Sequence, residues 1–155
     1  MTDTLEFKII DPIAKKEEWA LYLSNLKISQ ISCVEIYINK REIVDIFKEI
    51  ETPFAKKENN PNLAGDYGHR EIQYFYEDLT NKIQDNKQNV YLVLCGGCGF
   101  EECWSVSVFI SQDDNYIYWT DFKNIHRKDW VYPISYQFTK ENYYSELQKL
   151  KDYLK

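Results

Sequence analysis

Three runs of alternating apolar and polar residues follow one another in the C-terminal half: Val90-Tyr91-Leu92-Val93-Leu94-Cys95, then Cys103-Trp104-Ser105-Val106-Ser107-Val108-Phe109-Ile110-Ser111, then Asn115-Tyr116-Ile117-Tyr118-Trp119-Thr120-Asp121-Phe122. A period of two is that of a half-buried strand. The first connection carries Gly96, Gly97 and Gly99, and the second carries Asp113, Asp114 and Asn115, all of them turn formers. The reading is a central antiparallel meander over about 90–122. Parity then separates two faces. Leu92, Leu94, Trp104, Val106, Val108, Ile110, Ile117 and Trp119 form a face that helices must cover, which makes Trp104 and Trp119 core residues. Tyr91, Cys103, Ser105, Ser107, Phe109, Tyr116, Tyr118 and Thr120 form the other, a mixture of small polar residues and large aromatics suited to a half-exposed or binding surface.

Outward from the meander, Leu5 to Ile9 and Val34 to Ile38 alternate as strands, and Ile134 to Phe138 adds a further strand. Asp11-Pro12 supplies a cap and a first-turn proline for a helix over about 12–25, with Trp19, Tyr22, Leu23 and Leu26 at helical spacing. Ile43, Ile46, Phe47 and Ile50 mark a helix over about 40–51, ended by Pro53. Residues 52–69 read as a long polar loop, able to lie over the outer sheet face. Residues 70–84 are ambiguous: Ile72, Phe75, Tyr76 and Leu79 have helical spacing in a Tyr-rich run. Thr139 caps a last helix over about 140–153 with Tyr143, Leu147 and Leu150 along one side. No repeat or linker divides the 155 residues, so the expected architecture is one α+β domain, 1–155, with an antiparallel sheet of about five or six strands packed by two or three helices.

Hydrophobic residues are 44% and charged residues 28% of the chain, which excludes a disordered or low-complexity protein. No run reaches the ~18 apolar residues of a membrane span, and the start shows no secretory pattern. A cytoplasmic protein with no membrane partner is expected. The net charge of −6 disfavours nucleic acid, whose phosphates demand clustered Lys and Arg, and suits a basic protein partner.

The densest chemical signal is Cys95-Gly96-Gly97-Cys98-Gly99-Phe100-Glu101-Glu102-Cys103. Two cysteines at C-x2-C on a glycine-rich turn resemble a zinc knuckle, and Cys103 adds a third sulfur. His126 or Cys33 would have to arrive from elsewhere to complete the set. One and a half pairs fall short of a zinc signature, so the expectation is no metal and no cofactor; were a metal present, Cys95, Cys98, Cys103 and His126 would hold it. Cys33 reads as a small core residue. His126-Arg127, close to Asp121 and Asp129, carries the elements of an acid–base or anion site, but no nucleophile stands near it at a recognisable spacing. The plainer reading is a loop histidine that donates to a carboxylate. No catalytic residue is assigned. The acidic pairs Glu101-Glu102 and Asp113-Asp114 flank one strand of nine residues, about 30 Å apart, too far for a carboxylate dyad.

Several segments resemble a group of small, acidic, uncharacterised bacterial proteins. The resemblance rests on Pro53-Phe54-Ala55, Leu63-Ala64-Gly65, Cys98-Gly99, Cys103-Trp104, Trp119-Thr120-Asp121-Phe122, His126-Arg127, Trp130 and Phe138, and covers residues 34–150. Ile125 stands where a proline is usual, and Cys95-Gly96 is exchanged relative to a Gly-Cys pair. At the level of class, size and acidity are similar to those of immunity proteins of bacterial toxin–immunity pairs, including contact-dependent inhibition systems. That similarity implies a non-enzymatic protein that neutralises a basic toxin domain, such as a nuclease, by direct binding. The residues expected to carry it are Glu101, Glu102, Asp113 and Asp114 for charge, and Tyr91, Phe109, Tyr116 and Tyr118 for contact. The competing readings are a metal-binding or enzymatic protein centred on the cysteine hairpin and His126, and a housekeeping protein with another partner.

Overall fold

In the computed structural model, which describes residues 1–25, 31–85 and 88–155, strands and helices run in the order β1 (Leu5–Ile10), α1 (Glu18–Asn25), β2 (Cys33–Ile38), β3 (Arg41–Glu42), α2 (Ile43–Lys57), β4 (Tyr67–Glu71), α3 (Ile72–Asp85), β5 (Gln88–Cys95), β6 (Val106–Gln112), β7 (Tyr116–Asn124), β8 (Tyr136–Thr139) and α4 (Lys140–Tyr153). The strands form one antiparallel sheet in the order β1-β2-β4-β5-β6-β7-β8, with the two-residue β3 paired to β2. The α+β class and the central meander agree with the sequence. The described sheet has eight strands, not five or six, and is accompanied by four helices, not two or three. No described helix is long and apolar enough to cross a membrane.

Each difference has a local cause. The helix expected over 12–25 starts only at Glu18: Asp11 does cap the N–H groups of Ile13 and Ala14, but Lys16 at φ +59° breaks that first turn. Leu26, used in that expectation, lies outside the described residues, as does the side chain of Leu23. The helix expected over 40–51 starts at Ile43, because Asn39 and Lys40, both at positive φ, turn the chain into β3. Glu42 then caps it, accepting from Val44 and Asp45 N–H. Pro53 does not end this helix, which runs to Lys57. The proline is solvent-exposed, and the turn after it buries Ala55 and stacks Phe54 on Trp130, so packing outweighs the lost backbone bond.

The polar loop expected over 52–69 therefore shrinks to residues 58–66, with a 3-10 turn at Pro61–Leu63, and gives way to β4, so His69 belongs to a strand. Gly65, at φ +70°, comes so close to the Lys48 side chain that an added Cβ would lie 2.7 Å from it, and its N–H donates to Glu51. The loop is thus fastened to α2. The ambiguous run 70–84 is mostly helix: Ile72, Phe75 and Leu79 are buried at the spacing of α3.

Two bulges reset the parity of the meander. The β5–β6 register shifts between Tyr91 and Val93, so Val93 joins Leu92 in the core while Leu94 is only half-buried. The β6–β7 register shifts between Ser107 and Phe109, where β7 gains a residue at Asp121, φ +56°, and Phe122 and Asn124 turn inward. Residues 103–105 precede β6 and are not part of it. Ser105, expected on the outer face, is wholly buried, with Oγ donating to the Glu101 carbonyl.

Trp119 sits at the centre of the buried side, edge-on to Phe138 and Tyr143, with Nε1 donating to the Tyr143 hydroxyl at 3.1 Å. α4 also serves the free edge of β1. Asn142 Oδ1 accepts from Leu5 N–H and its Nδ2 donates to Leu5 carbonyl, while Glu146 accepts from Phe7 N–H. Asp3 N–H donates to Gln137 carbonyl at 2.7 Å, drawing the first and last strands of the sheet together.

Trp119→Ala should lower the urea-unfolding free energy by about 3–5 kcal/mol, the cost of a large core cavity. Asn142→Ala should cost about 1–3 kcal/mol, since it leaves a donor and an acceptor of β1 unpaired. A Trp119 indole quenched by iodide in the native protein would contradict the first expectation.

Candidate functional site

On the outer side of β5–β8 the register aligns short cross-strand rows. Tyr91 opposes Ser107, which opposes Lys123; Phe109 opposes Thr120; Ser111 opposes Tyr118; and Tyr116 opposes Thr139. The four aromatics expected for contact, Tyr91, Phe109, Tyr116 and Tyr118, therefore share one face, and all are half-buried. Tyr116 and Tyr118 meet edge-on, with ring centroids 6.3 Å apart. α2 and α4 lie against the opposite side, Phe47 on Phe122 and Tyr143 on Trp119. Because residues 58–66 are fastened to α2, they do not form the cover over this face that a long loop offers.

The acidic residues divide. Asp113 accepts from Asn115 and Tyr116 N–H and, at 2.5 Å, from the Tyr118 hydroxyl. Those three hydrogen bonds, Tyr118 first among them, hold its carboxyl below the ordinary value. Asp113 and the exposed Asp114 thus border the aromatics at the turn between β6 and β7. Glu101 and Glu102 lie beyond the other end of β6, between Cys98 and Cys103; there the Glu102 carbonyl accepts from His126 Nε2 at 2.7 Å. His126 is thus pinned to a backbone carbonyl, not to the carboxylate expected.

At that end the face opens into a cavity of about 460 Å³ lined by Tyr91, Ile125, Trp130, Lys123, Arg127 and Lys128 among others. Arg127 lies over the Trp104 and Trp130 rings and donates to Glu58, which also accepts from the Trp130 indole. The grouping of Lys123 with Arg127 and Lys128 in one cleft went unseen in the sequence, because it depends on the turn in which Asn124 bridges to Arg127.

The three hairpin cysteines do come together: the sulfurs of Cys95, Cys98 and Cys103 lie within 4.8 Å of one another, in a group that does not include His126. Cys33 is buried in β2, apart from them, as a core residue. Burial opposes a thiolate at Cys95, but the Cys98 and Gly97 N–H groups and the two neighbouring thiols outweigh it and hold its pKa below the ordinary value.

A second cluster was missed altogether. His69 Nδ1 meets Glu17 Oε1 at 3.0 Å and its Nε2 meets Glu42 Oε1 at 2.5 Å, while the same Glu17 oxygen accepts the His69 N–H. Burial disfavours the imidazolium, yet the hydrogen bonds and charges of the two carboxylates prevail and raise His69 to about 9. The ring is therefore a cation at neutral pH, a tie between β4, the start of α2 and the segment before α1, and holds no lone pair for base catalysis. Glu17, Glu42 and His69 are 52 and 27 residues apart in pairs, so nothing local in the sequence announced them.

Comparison of the chain with family models, with curated proteins and with solved structures returns no match, so function has to be argued from these residues.

Because the folded-state pKa of His69 exceeds the unfolded value near 6.5, its contribution, on the order of 3 kcal/mol, is complete below about pH 6.5 and lost as pH rises through 9. Urea titrations at pH 6 and pH 10 should show that loss, and His69→Gln should remove most of the difference. An imidazole that titrates near 6.5 by NMR would contradict the assignment.

Proposed function

We propose that this protein is a non-enzymatic binding protein, and specifically an immunity protein that neutralises a toxin domain by covering it. The observation that carries the reading is the aromatic outer face of β5–β8, half-exposed and flanked by Asp113 and Asp114. Tyrosines on a rigid sheet supply large amphipathic anchors at low entropic cost, the composition of an interface centre. An acidic chain of net charge −6 is steered toward a basic partner, which raises the encounter rate. Both histidines are engaged in fixed hydrogen bonds, a use more structural than catalytic.

The charge is unevenly placed along the face. Asp113 and Asp114 stand at one end; at the other, beside Lys128, Lys123 and Arg127 are already paired with Asp121 and Glu58. A partner that fits would set basic residues against Asp113 and Asp114. Glu101 and Glu102 contribute charge at that second end.

The first test is the neighbouring reading frame: where it encodes a large secreted protein with a variable C-terminal domain, that domain is the binding partner to assay. Reversing Asp113 and Asp114 to Lys should slow association and flatten its salt dependence, because charge sets the encounter rate. Tyr118→Ala should raise the dissociation rate at a cost of about 1–3 kcal/mol, because a desolvated ring sets the lifetime. Unchanged rates for every variant would move the interface off this face. Absence of any complex would remove the immunity reading.

A further inference from the structure

We propose that the hairpin thiols Cys95, Cys98 and Cys103 form a binding site for one thiophilic d10 metal ion, Zn(II) or Cu(I), with its outer coordination position open. The inference does not rest on the partner reading: these residues lie at the end of β5 and in the turns after it, away from the Asp113 end of the aromatic face, although Glu101 and Glu102 sit between Cys98 and Cys103.

Convergence of the sulfurs is the first support. All three lie within 4.8 Å of one another, whereas a zinc ion with ~2.3 Å bonds to each requires sulfurs about 3.8 Å apart. Cys98 and Cys103 are exposed. A contraction of about 1 Å is therefore within reach of side-chain rotation alone, without movement of the strands. Nine residues, 95–103, thus bring three sulfurs to one place.

The backbone is the second support. Cys95, Gly96, Gly97 and Cys98 form the glycine-rich turn that closes β5, with three glycines within the five residues 95–99. Gly99 adopts φ +76° and returns its N–H to the Cys95 carbonyl at 2.9 Å, so the turn curls round the sulfurs. A residue with a side chain would be strained at this φ.

The turn is also braced from outside. Trp19 N–H donates to the Gly96 carbonyl at 3.2 Å, and its indole packs so tightly on Gly68 and Gly99 that an added Cβ would come within 2.5 Å and 3.2 Å of it. Bracing by α1 means that the thiols are gathered by the fold itself, and that an ion would find the site formed. Three thiolates are a soft donor set that rejects Mg(II) and Ca(II) in favour of Zn(II) or Cu(I). Zn(II) would complete its four ligands with solvent or an exogenous donor, while Cu(I) is satisfied by three sulfurs.

The experiment takes the full chain, reduced and stripped of metal under anaerobic conditions, and titrates it with Co(II) as the spectroscopic probe and separately with Cu(I). The expected result is sulfur-to-cobalt charge-transfer absorption that saturates at about one equivalent and is displaced by Zn(II). A chain that takes Cu(I) at that stoichiometry but not Co(II) also supports the site and identifies its ion. Bound metal should slow alkylation of Cys98 and Cys103, and Cys98→Ser or Cys103→Ser should weaken binding about a hundredfold or more. Cys33→Ser, with folding confirmed by circular dichroism, should leave binding unchanged. Less than about a tenth of an equivalent of either ion, or binding indifferent to Cys98→Ser and Cys103→Ser, would overturn the proposal.

Discussion

Glu51 is the residue on which the upper part of the molecule depends. It is wholly buried in α2, and its carboxylate accepts from Gly65 N–H and from the hydroxyls of Tyr67 and Tyr132. Burial pushes its pKa up, while those three donors work in the opposite direction. One carboxylate thereby joins α2, the loop 58–66, β4 and the segment before β8. Tyr67 passes the constraint on, accepting from Asn124 and stacking on Trp104, which in turn stacks on His126 and meets Trp130 edge-on. Removing the carboxylate would leave a buried amide N–H and two buried hydroxyls without their acceptor, which costs more than the bonds themselves contribute. The cation-lined cleft is the outer end of this chain of contacts.

Much of the fold was legible because periodicity reports burial. The meander, β1, β2 and the Thr139 cap followed from it, and Thr139 does accept from Asn142 N–H. What periodicity could not report is where a strand gains a residue. The bulge near Leu92 changes which residues face inward, so Leu94 fell on the wrong side, and Ser105 did so because β6 starts only at Val106. Pro53 misled for a related reason: local propensity favoured an end, while tertiary packing of Phe54 and Ala55 favoured continuation. β4 was hidden because a five-residue strand holding Gly68, His69 and Arg70 has no apolar alternation to show.

The site divides in the same way. Residues sharing one strand face, such as Tyr116 and Tyr118, could be grouped from parity, and the three hairpin cysteines were close in sequence to begin with. Long-range electrostatic contacts had no such trace. Glu17, Glu42 and His69 meet only after β4 is inserted between β2 and β5, and Glu58 reaches Arg127 and Trp130 only because α2 extends past Pro53. Placement on the sheet sets Asp113 and Asp114 at one end and mixes Lys123, Arg127 and Lys128 with Asp121, Glu58, Glu101 and Glu102 at the other, a distribution that composition does not carry.

The clamp that α4 places on β1 has a consequence in time. The backbone donors of Leu5 and Phe7 find their acceptors on Asn142 and Glu146, 137 and 139 residues later in the chain. During synthesis the first strand is therefore made long before the helix that satisfies its edge, and it stays open until residues 140–153 leave the ribosome. An unsatisfied strand edge is a template for pairing with another copy. A nascent chain paused or cleaved ahead of α4 would present that edge to its neighbours, so truncation there should yield aggregates rather than a shortened native protein.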